Sequence, residues 1–257
     1  MSKENKTIEK QDFLSPLKSS PSLRSWKSTF TLLRTITVNI CNELRYTSRG
    51  VRQTEIWKDN EQFLDILKEI QDKTLLTPNR LFTLYQFAKV ASNTEGDIAE
   101  LGVYKGGSAK LLAKSFKEKA SHKKIFLLDT FEGLPKHNEE LDHHREGDLG
   151  DTSFENVQTF LKELDNIILL KGLFSNTQQN IANNRFSFVH IDVDLYSSVL
   201  ECCNFFYPRL SKGGIMIFDD YGYVSCPGAK KAVDEFFRDK ADTPVYLTTG
   251  QCLLIKH

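Results

Sequence analysis

No stretch of this 257-residue chain is apolar for long enough to cross a membrane, since a helical span needs about 18 or more such residues in a row. The opening run MSKENKTIEKQDFLSPLKSSPSLRSW lacks the apolar centre of a secretory signal, and its Ser, Pro and Lys content reads as a flexible leader. Net charge is missing as well. Thirty-four Lys and Arg balance 34 Asp and Glu, so the whole-chain field gives no reason to expect nucleic acid or an anionic membrane as partner. Cysteine is scarce: there are five, two of them adjacent at Cys202 and Cys203. With no CxxC and no His/Cys cluster, neither a disulfide framework nor a zinc finger is indicated. A reducing compartment, the cytoplasm, is the expected setting. The chain also lacks a phosphate loop, because its glycine-rich turn has no GK[ST] ending and is not a clean GxGxxG. There is no internal repeat.

What is present is an ordinary globular composition, 40% hydrophobic and 26% charged. The length suits one α/β domain with an extension. We expect a leader over 1–28, a helical extension over 29–76 and one domain over 77–257. In the extension, FTLLRTITVNICNELRY carries Leu33, Ile36, Ile40 and Leu44 at helical spacing. Such a helix suits a cover for the main domain or a homodimer seam; its charge is too sparse for a lipid-surface helix. Asp59 and Asn60 can start a helix carrying Phe63, Leu64, Ile66, Leu67 and Ile70. Thr77-Pro78 reads as a cap with proline in the first turn of the next one.

From Asp97 short apolar runs alternate with longer amphipathic ones. DIAEL, KKIFLLD, NIILL, FSFVHIDVD and GGIMIFDD read as strands, and VYLTTGQCLLIKH as a closing hairpin. Between them lie helices over Gly107–Phe116, TSFENVQTFLKEL (capped by Thr152 or Ser153), YSSVLECCNFFYPRL and AKKAVDEFF. Strict alternation predicts an α/β fold with a parallel sheet, helices on both faces and right-handed crossovers. Ligands of such sheets bind beyond the C-terminal strand ends, so chemistry is sought there.

The first strand end reads Glu100-Leu-Gly102-Val-Tyr-Lys-Gly106-Gly107-Ser108. Its glycines permit a tight turn and close approach to a ligand at the next helix N-terminus, although a plain structural turn has the same look. The second ends in Asp129, spaced to accept hydrogen bonds from ribose hydroxyls or simply to cap a loop. Together they favour a nucleoside-containing ligand, with a nicotinamide cofactor still open. Asp192 and Asp194, two apart on one strand, project to the same face and are expected side by side. Asp219 and Asp220, consecutive, serve one site only if the strand gives way, which Gly222 permits. Four carboxylates at neighbouring strand ends repel one another unless a hard cation such as Mg²⁺ joins them; the bland alternative is solvated loop residues, with Asp194 as a helix cap. His190, inside its strand, is expected to be a satisfied core histidine. His143 and His144 lie in the polar segment KHNEELDHHREGDLGD, whose length suits a lid or a mobile loop.

The chain resembles the macrocin/mycinamicin sugar O-methyltransferases, the TylF/MycF type. The resemblance rests on DIAELGVYKGGSAKLLA, IFLLDTFEGLP, GDLGDTSFENV, LLKGLFSNT, FVHIDVDLYSSVL, YPRLSKGGIMIFDDYG and GAKKAVDEFF, in order across residues 78–240. It implies a class I methyltransferase fold, Rossmann-like, whose seven-stranded, mostly parallel sheet ends in an antiparallel strand. It also implies S-adenosylmethionine as cofactor. Glu100, Gly102, Gly106, Gly107 and Ser108 would form the cofactor turn, Asp129 would take the ribose, and Phe131 and Ser175 would lie near it. Asp192, Asp219 and Asp220 would bind Mg²⁺, and Asp194 matches the proposed general base. Tyr104-Lys105 departs from the family's usual Trp with a basic residue. The implied activity is methylation of a hydroxyl on a sugar-containing natural product or glycan. Its rivals are a catechol-type aryl O-methyltransferase, a catalytically silent cofactor-binding module and, more distantly, a nicotinamide dehydrogenase. A homodimer through the N-terminal helices is compatible with the extension.

Overall fold

A computed structural model describes residues 55–257 apart from Ser121, Asn138 and Glu139; the leader and the helix expected over residues 30–46 lie outside the described residues. The sequence folds into helices α1 (Glu61–Ile70), α2 (Pro78–Ala91), α3 (Gly107–Ala120), α4 (Phe154–Leu161), the single turn α5 (Phe174–Thr177), α6 (Tyr196–Phe206) and α7 (Pro227–Phe237). Strands are β1 (Asp97–Leu101), β2 (Ile125–Asp129), β3 (Ile167–Lys171), β4 (Phe186–Ile191), β5 (Leu210–Phe218), β6 (Val245–Tyr246) and β7 (Cys252–Ile255). They form a seven-stranded sheet in the order β3-β2-β1-β4-β5-β7-β6. β1 to β5 pair in parallel, while β7 runs antiparallel to both β5 and β6. The class I methyltransferase topology expected from the resemblance is therefore the one observed.

Local chemistry explains the element ends. The Asn60 side chain accepts the Phe63 N–H and caps α1, and Ser153 accepts the Asn156 N–H and caps α4. Thr77 precedes α2 without a side-chain cap, leaving Pro78 to set the first turn. In parallel strands buried on both faces, successive residues feed two cores. Ile98, Ile125, Leu127, Ile215 and Ile217 join Phe63, Ile66, Ile70, Leu81 and Leu84 from α1 and α2 on one face. Ala99, Phe126, Leu128, Met216 and Phe218 meet Val199, Phe206, Val233 and Phe237 from α6 and α7 on the other. Each such side chain contributes about 1.5–3 kcal/mol on burial.

Two strands stop earlier than the alternating pattern suggests. β4 ends at Ile191 and β5 at Phe218, so Asp192, Asp194, Asp219 and Asp220 all sit in the turns beyond. Asp194 has φ +58°, and the pair is brought together by that turn rather than by strand alternation. The crossing of these turns is tight. Gly102, at φ +81°, approaches the Asp192 carbonyl so closely that a Cβ would overlap its oxygen, which makes glycine obligatory at this crossing.

Candidate active site

A cavity of about 460 Å³ opens beyond the C-terminal ends of β1, β2 and β4, where doubly wound sheets place ligands. Gly102, Ser108, Asp129, Ser175, Asp192, Asp194 and Asp220 line it. Glu100, Gly106, Gly107, Phe131 and Asp219 do not line it. Phe131, at φ +56° and 2% exposed, packs edge-on against Phe154 instead.

Asp129 builds the glycine turn. Its Oδ2 accepts the backbone N–H groups of Val103 (2.7 Å) and Tyr104 (2.9 Å), and Oδ1 accepts that of Phe131 (2.7 Å). A carboxylate has about four acceptor positions, so little capacity remains for a ribose. The turn is closed from outside by Thr152, whose hydroxyl donates to the Tyr104 carbonyl, and by Asp151, which accepts from the Tyr104 hydroxyl and the Lys105 ammonium.

Behind the cavity floor a buried polar row crosses three strands. Glu100 Oε1 meets His190 Nδ1 at 2.9 Å, and His190 Nε2 meets Asp219 Oδ1 at 3.2 Å; all three residues are fully buried. Gln251 Nε2 donates to the same Asp219 oxygen at 2.7 Å. His190 is thus the satisfied core histidine expected, and Glu100 orients it rather than facing the cavity. Such a row fixes the Asp219 side chain because both its neighbours are themselves held.

The other oxygen of Asp219, Oδ2, is buried and ion-paired to the Arg80 guanidinium. The same guanidinium nitrogen lies 3.7 Å from Asp192 and 3.9 Å from Asp220. One side chain from the first turn of α2 therefore supplies positive charge where three carboxylates meet. Tyr223 packs against it, 4.7 Å from ring centroid to guanidinium carbon.

Asp194 stands beside this group. Its backbone N–H donates to Asp220 Oδ2 at 2.9 Å, and its Oδ1 accepts the Cys226 thiol at 3.3 Å and faces His144 Nε2 at 3.4 Å. Burial, and then the charge of Asp220, pushes Asp194 up to about 7. The same two causes raise Asp192 well above the usual carboxylate range, and burial raises Asp220. This cluster resists full ionisation with only one arginine for company.

The polar segment after Pro135 closes over Asp194. His137 Nε2 meets the His144 carbonyl at 2.8 Å, and the Arg145 N–H donates to Asp148. Asp142 is 3% exposed and its Oδ1 accepts the Tyr196 N–H at 2.9 Å. Asp194, a helix cap in the bland alternative, does not fill that role; the first N–H of α6 is taken by Asp142, 54 positions upstream of Tyr196. Gly228 makes this docking possible, since a Cβ there would overlap Asp142 Oδ1.

Arg80, Asp142, Cys226 and Gln251 belong to no motif and escape sequence reasoning. Only Arg80 carries a signal, as an arginine in a first helical turn where acidic residues are favoured.

The family model for macrocin O-methyltransferase (TylF) matches residues 33–249. The chain belongs to that family. It is an S-adenosylmethionine-dependent O-methyltransferase, and its named relatives are O-methyltransferases. Among its relatives, demethyldecarbamoylnovobiocin O-methyltransferase of Streptomyces niveus is 28% identical over 190 residues, 68% of this chain and 71% of that one. Mycinamicin III 3''-O-methyltransferase of Micromonospora griseorubida is 28% identical over 185 residues, 65% of this chain and 70% of that one. The solved O-methyltransferase NovP superposes with a TM-score of 0.63 at 26% identity, over 72% of this chain and 82% of that one. The calicheamicin methyltransferase CalS11, at 20% identity and a TM-score of 0.58, shares the fold over 98% of this chain and 99% of its own. Among the described residues no helix is long and apolar enough to cross a membrane.

Proposed function

We propose that this member of the macrocin O-methyltransferase family methylates a hydroxyl of a sugar-bearing small molecule, with Mg²⁺ held by Asp192, Asp219 and Asp220 and with Asp194 as general base. The single observation that carries this reading is the convergence of those three carboxylates on one point at the cavity floor, where Arg80 now provides the positive charge. The donor set is all oxygen, with Asp219 and Asp220 buried, which suits a hard divalent cation. A sugar-bearing acceptor is named for a rhamnosyl-tetracenomycin 4'-O-methyltransferase of Streptomyces olivaceus, 28% identical over 152 residues.

A bound divalent cation would supply neutralising charge and lower the pKa of a nearby hydroxyl. S-adenosylmethionine would supply a methyl group already activated by its sulfonium, and Gly102, Ser108, Asp129 and Ser175 of the cavity wall would hold it. Glu100, Gly106, Gly107 and Phe131 would shape that wall from behind. Asp194 would take the acceptor hydroxyl's proton while that oxygen displaces the methyl group from the sulfonium, the carbon–sulfur bonding pair leaving with S-adenosylhomocysteine. With its carboxyl pushed to about 7, it is poised near neutral pH, where general bases work best. The polar row from Glu100 to Gln251 holds Asp219 still, and the lid carrying His144 excludes water. Four buried free cysteines among the described residues accord with a reducing, cytoplasmic setting, and a homodimer is part of the same proposal.

Calorimetry and turnover assays on Asp219→Asn test the reading. Mg²⁺ binding and methyl transfer should both be lost while S-adenosylhomocysteine still binds. Retained Mg²⁺ affinity would overturn the ligand set, and turnover of simple catechols but not glycosides would overturn the acceptor class.

A further inference from the structure

A second cluster of potential ligands lies beside the carboxylate site and shares Asp194 with the proposed reaction. His144 Nε2, Asp194 Oδ1 and Cys226 Sγ stand at the corners of a nearly equilateral triangle: 3.4 Å from His144 to Asp194, 3.3 Å from Asp194 to Cys226 and 3.5 Å from Cys226 to His144. Tetrahedral zinc, with bonds of about 2.0–2.2 Å to nitrogen and oxygen and about 2.3 Å to sulfur, sets its ligand atoms roughly 3.3–3.6 Å apart. The triangle already has those dimensions. All three residues line the cavity, so a fourth coordination position faces open space.

We propose that His144, Asp194 and Cys226 form a binding site for a borderline transition-metal ion of the zinc class, separate from the Mg²⁺ site. Three different parts of the chain hold the triangle. His144 comes from the lid, where its carbonyl is fixed by His137. Asp194 comes from the turn after β4, fixed by its backbone bond to Asp220. Cys226 immediately precedes α7, its N–H donating to the Tyr223 carbonyl at 3.0 Å. The other ring nitrogen of His144 faces Asp148 Oδ2 at 3.6 Å, within ion-pair range but beyond a hydrogen bond. Without an ion, the Cys226 proton joins sulfur to Asp194; on binding, that proton leaves to solvent and the cation takes its place. Chemistry separates the two sites, since nitrogen and thiolate favour zinc-class ions while an all-oxygen set favours Mg²⁺.

An ion in the triangle engages the oxygen that Asp194 would present to the acceptor and ties the lid to α7. It therefore inhibits methyl transfer. This consequence rests on the function proposed above, whereas binding itself does not.

Chelator-stripped protein, kept in saturating Mg²⁺, is titrated with Co²⁺ as a spectroscopic stand-in for Zn²⁺. The expected result is one equivalent bound, with a near-ultraviolet thiolate-to-cobalt charge-transfer band that Zn²⁺ abolishes. Cys226→Ser should remove the band, His144→Gln should weaken Co²⁺ binding at least about 10-fold, and Asp219→Asn should leave both intact. A thermal shift with S-adenosylhomocysteine establishes that each variant is folded. Absence of the band from the wild type, its persistence in Cys226→Ser, or its loss in Asp219→Asn would overturn the site. Because Co²⁺ binding is read without turnover, failure here leaves the Mg²⁺ reading standing, and failure there leaves this one.

Discussion

Asp194 is held in a left-handed backbone conformation, φ +58°, which costs a non-glycine residue of order 1 kcal/mol. The surroundings impose it: the Asp194 N–H reaches Asp220, and the side chain is left facing Cys226, His144 and the cavity. Replacing Asp194 with Asn keeps shape and turn preference but removes the base. We expect kcat to fall about 10²–10⁴-fold while S-adenosylhomocysteine affinity, measured by calorimetry, stays within a factor of a few. A near-normal kcat would show that the proton leaves by another route. Arg80 gives a complementary prediction. Its guanidinium is 12% exposed and is the positive charge that touches Asp192, Asp219 and Asp220. Arg80→Met leaves those charges uncompensated, and breaking such a buried pairing costs about 3–5 kcal/mol. Melting curves should show a marked loss in the metal-free variant, and added Mg²⁺ should restore more of it than it adds to the wild type. If Mg²⁺ restored nothing, the carboxylates would not be its site.

At the scale of elements, the site depends on how segments far apart in sequence lock together. α6 begins where Asp142 of the lid accepts the Tyr196 N–H, and Gly228 in α7 leaves the space for that carboxylate. The lid is thereby fastened to two helices at once. Gly228→Ala pushes Asp142 out, so the segment 136–150 should become a site of rapid limited proteolysis and KM for the acceptor should rise. An unchanged cleavage pattern would mean that the lid is held elsewhere. The short strands matter in the same way. Because β4 and β5 stop at Ile191 and Phe218, consecutive residues Asp219 and Asp220 can both reach one point, which a continuing strand forbids.

Across the whole molecule, the carboxylate cluster couples stability to pH. Burial raises Asp192, Asp194 and Asp220 above the ordinary aspartate value, Asp194 to about 7. The folded chain then holds protons that the unfolded chain, titrating near about 4, has already released. Stability from these groups is therefore greatest at the acidic end and is lost as pH rises from about 4 to about 7. A divalent cation substitutes for those protons. The increase in Tm produced by Mg²⁺ should accordingly be larger at pH 7.5 than at pH 5.5, as followed by differential scanning calorimetry. Equal increments at both values would separate the cation from these carboxylates.

Much of this architecture is written along the chain. Alternating apolar runs specify the parallel sheet, because strands buried on both faces must be apolar throughout while the helices between them need only one apolar stripe. The glycine turn, Asp129, the two aspartate pairs and the placing of His190 inside a strand are likewise local features, legible from residue type and spacing. Tertiary structure alone decided what those features touch. It turned Glu100 away from the cavity towards His190, spent most of Asp129 on backbone N–H groups, gave the cap of α6 to Asp142 and placed Arg80 among three carboxylates. Each of these contacts joins residues that share no local periodicity, and their pairing follows from how whole elements pack, which no single stretch of sequence encodes.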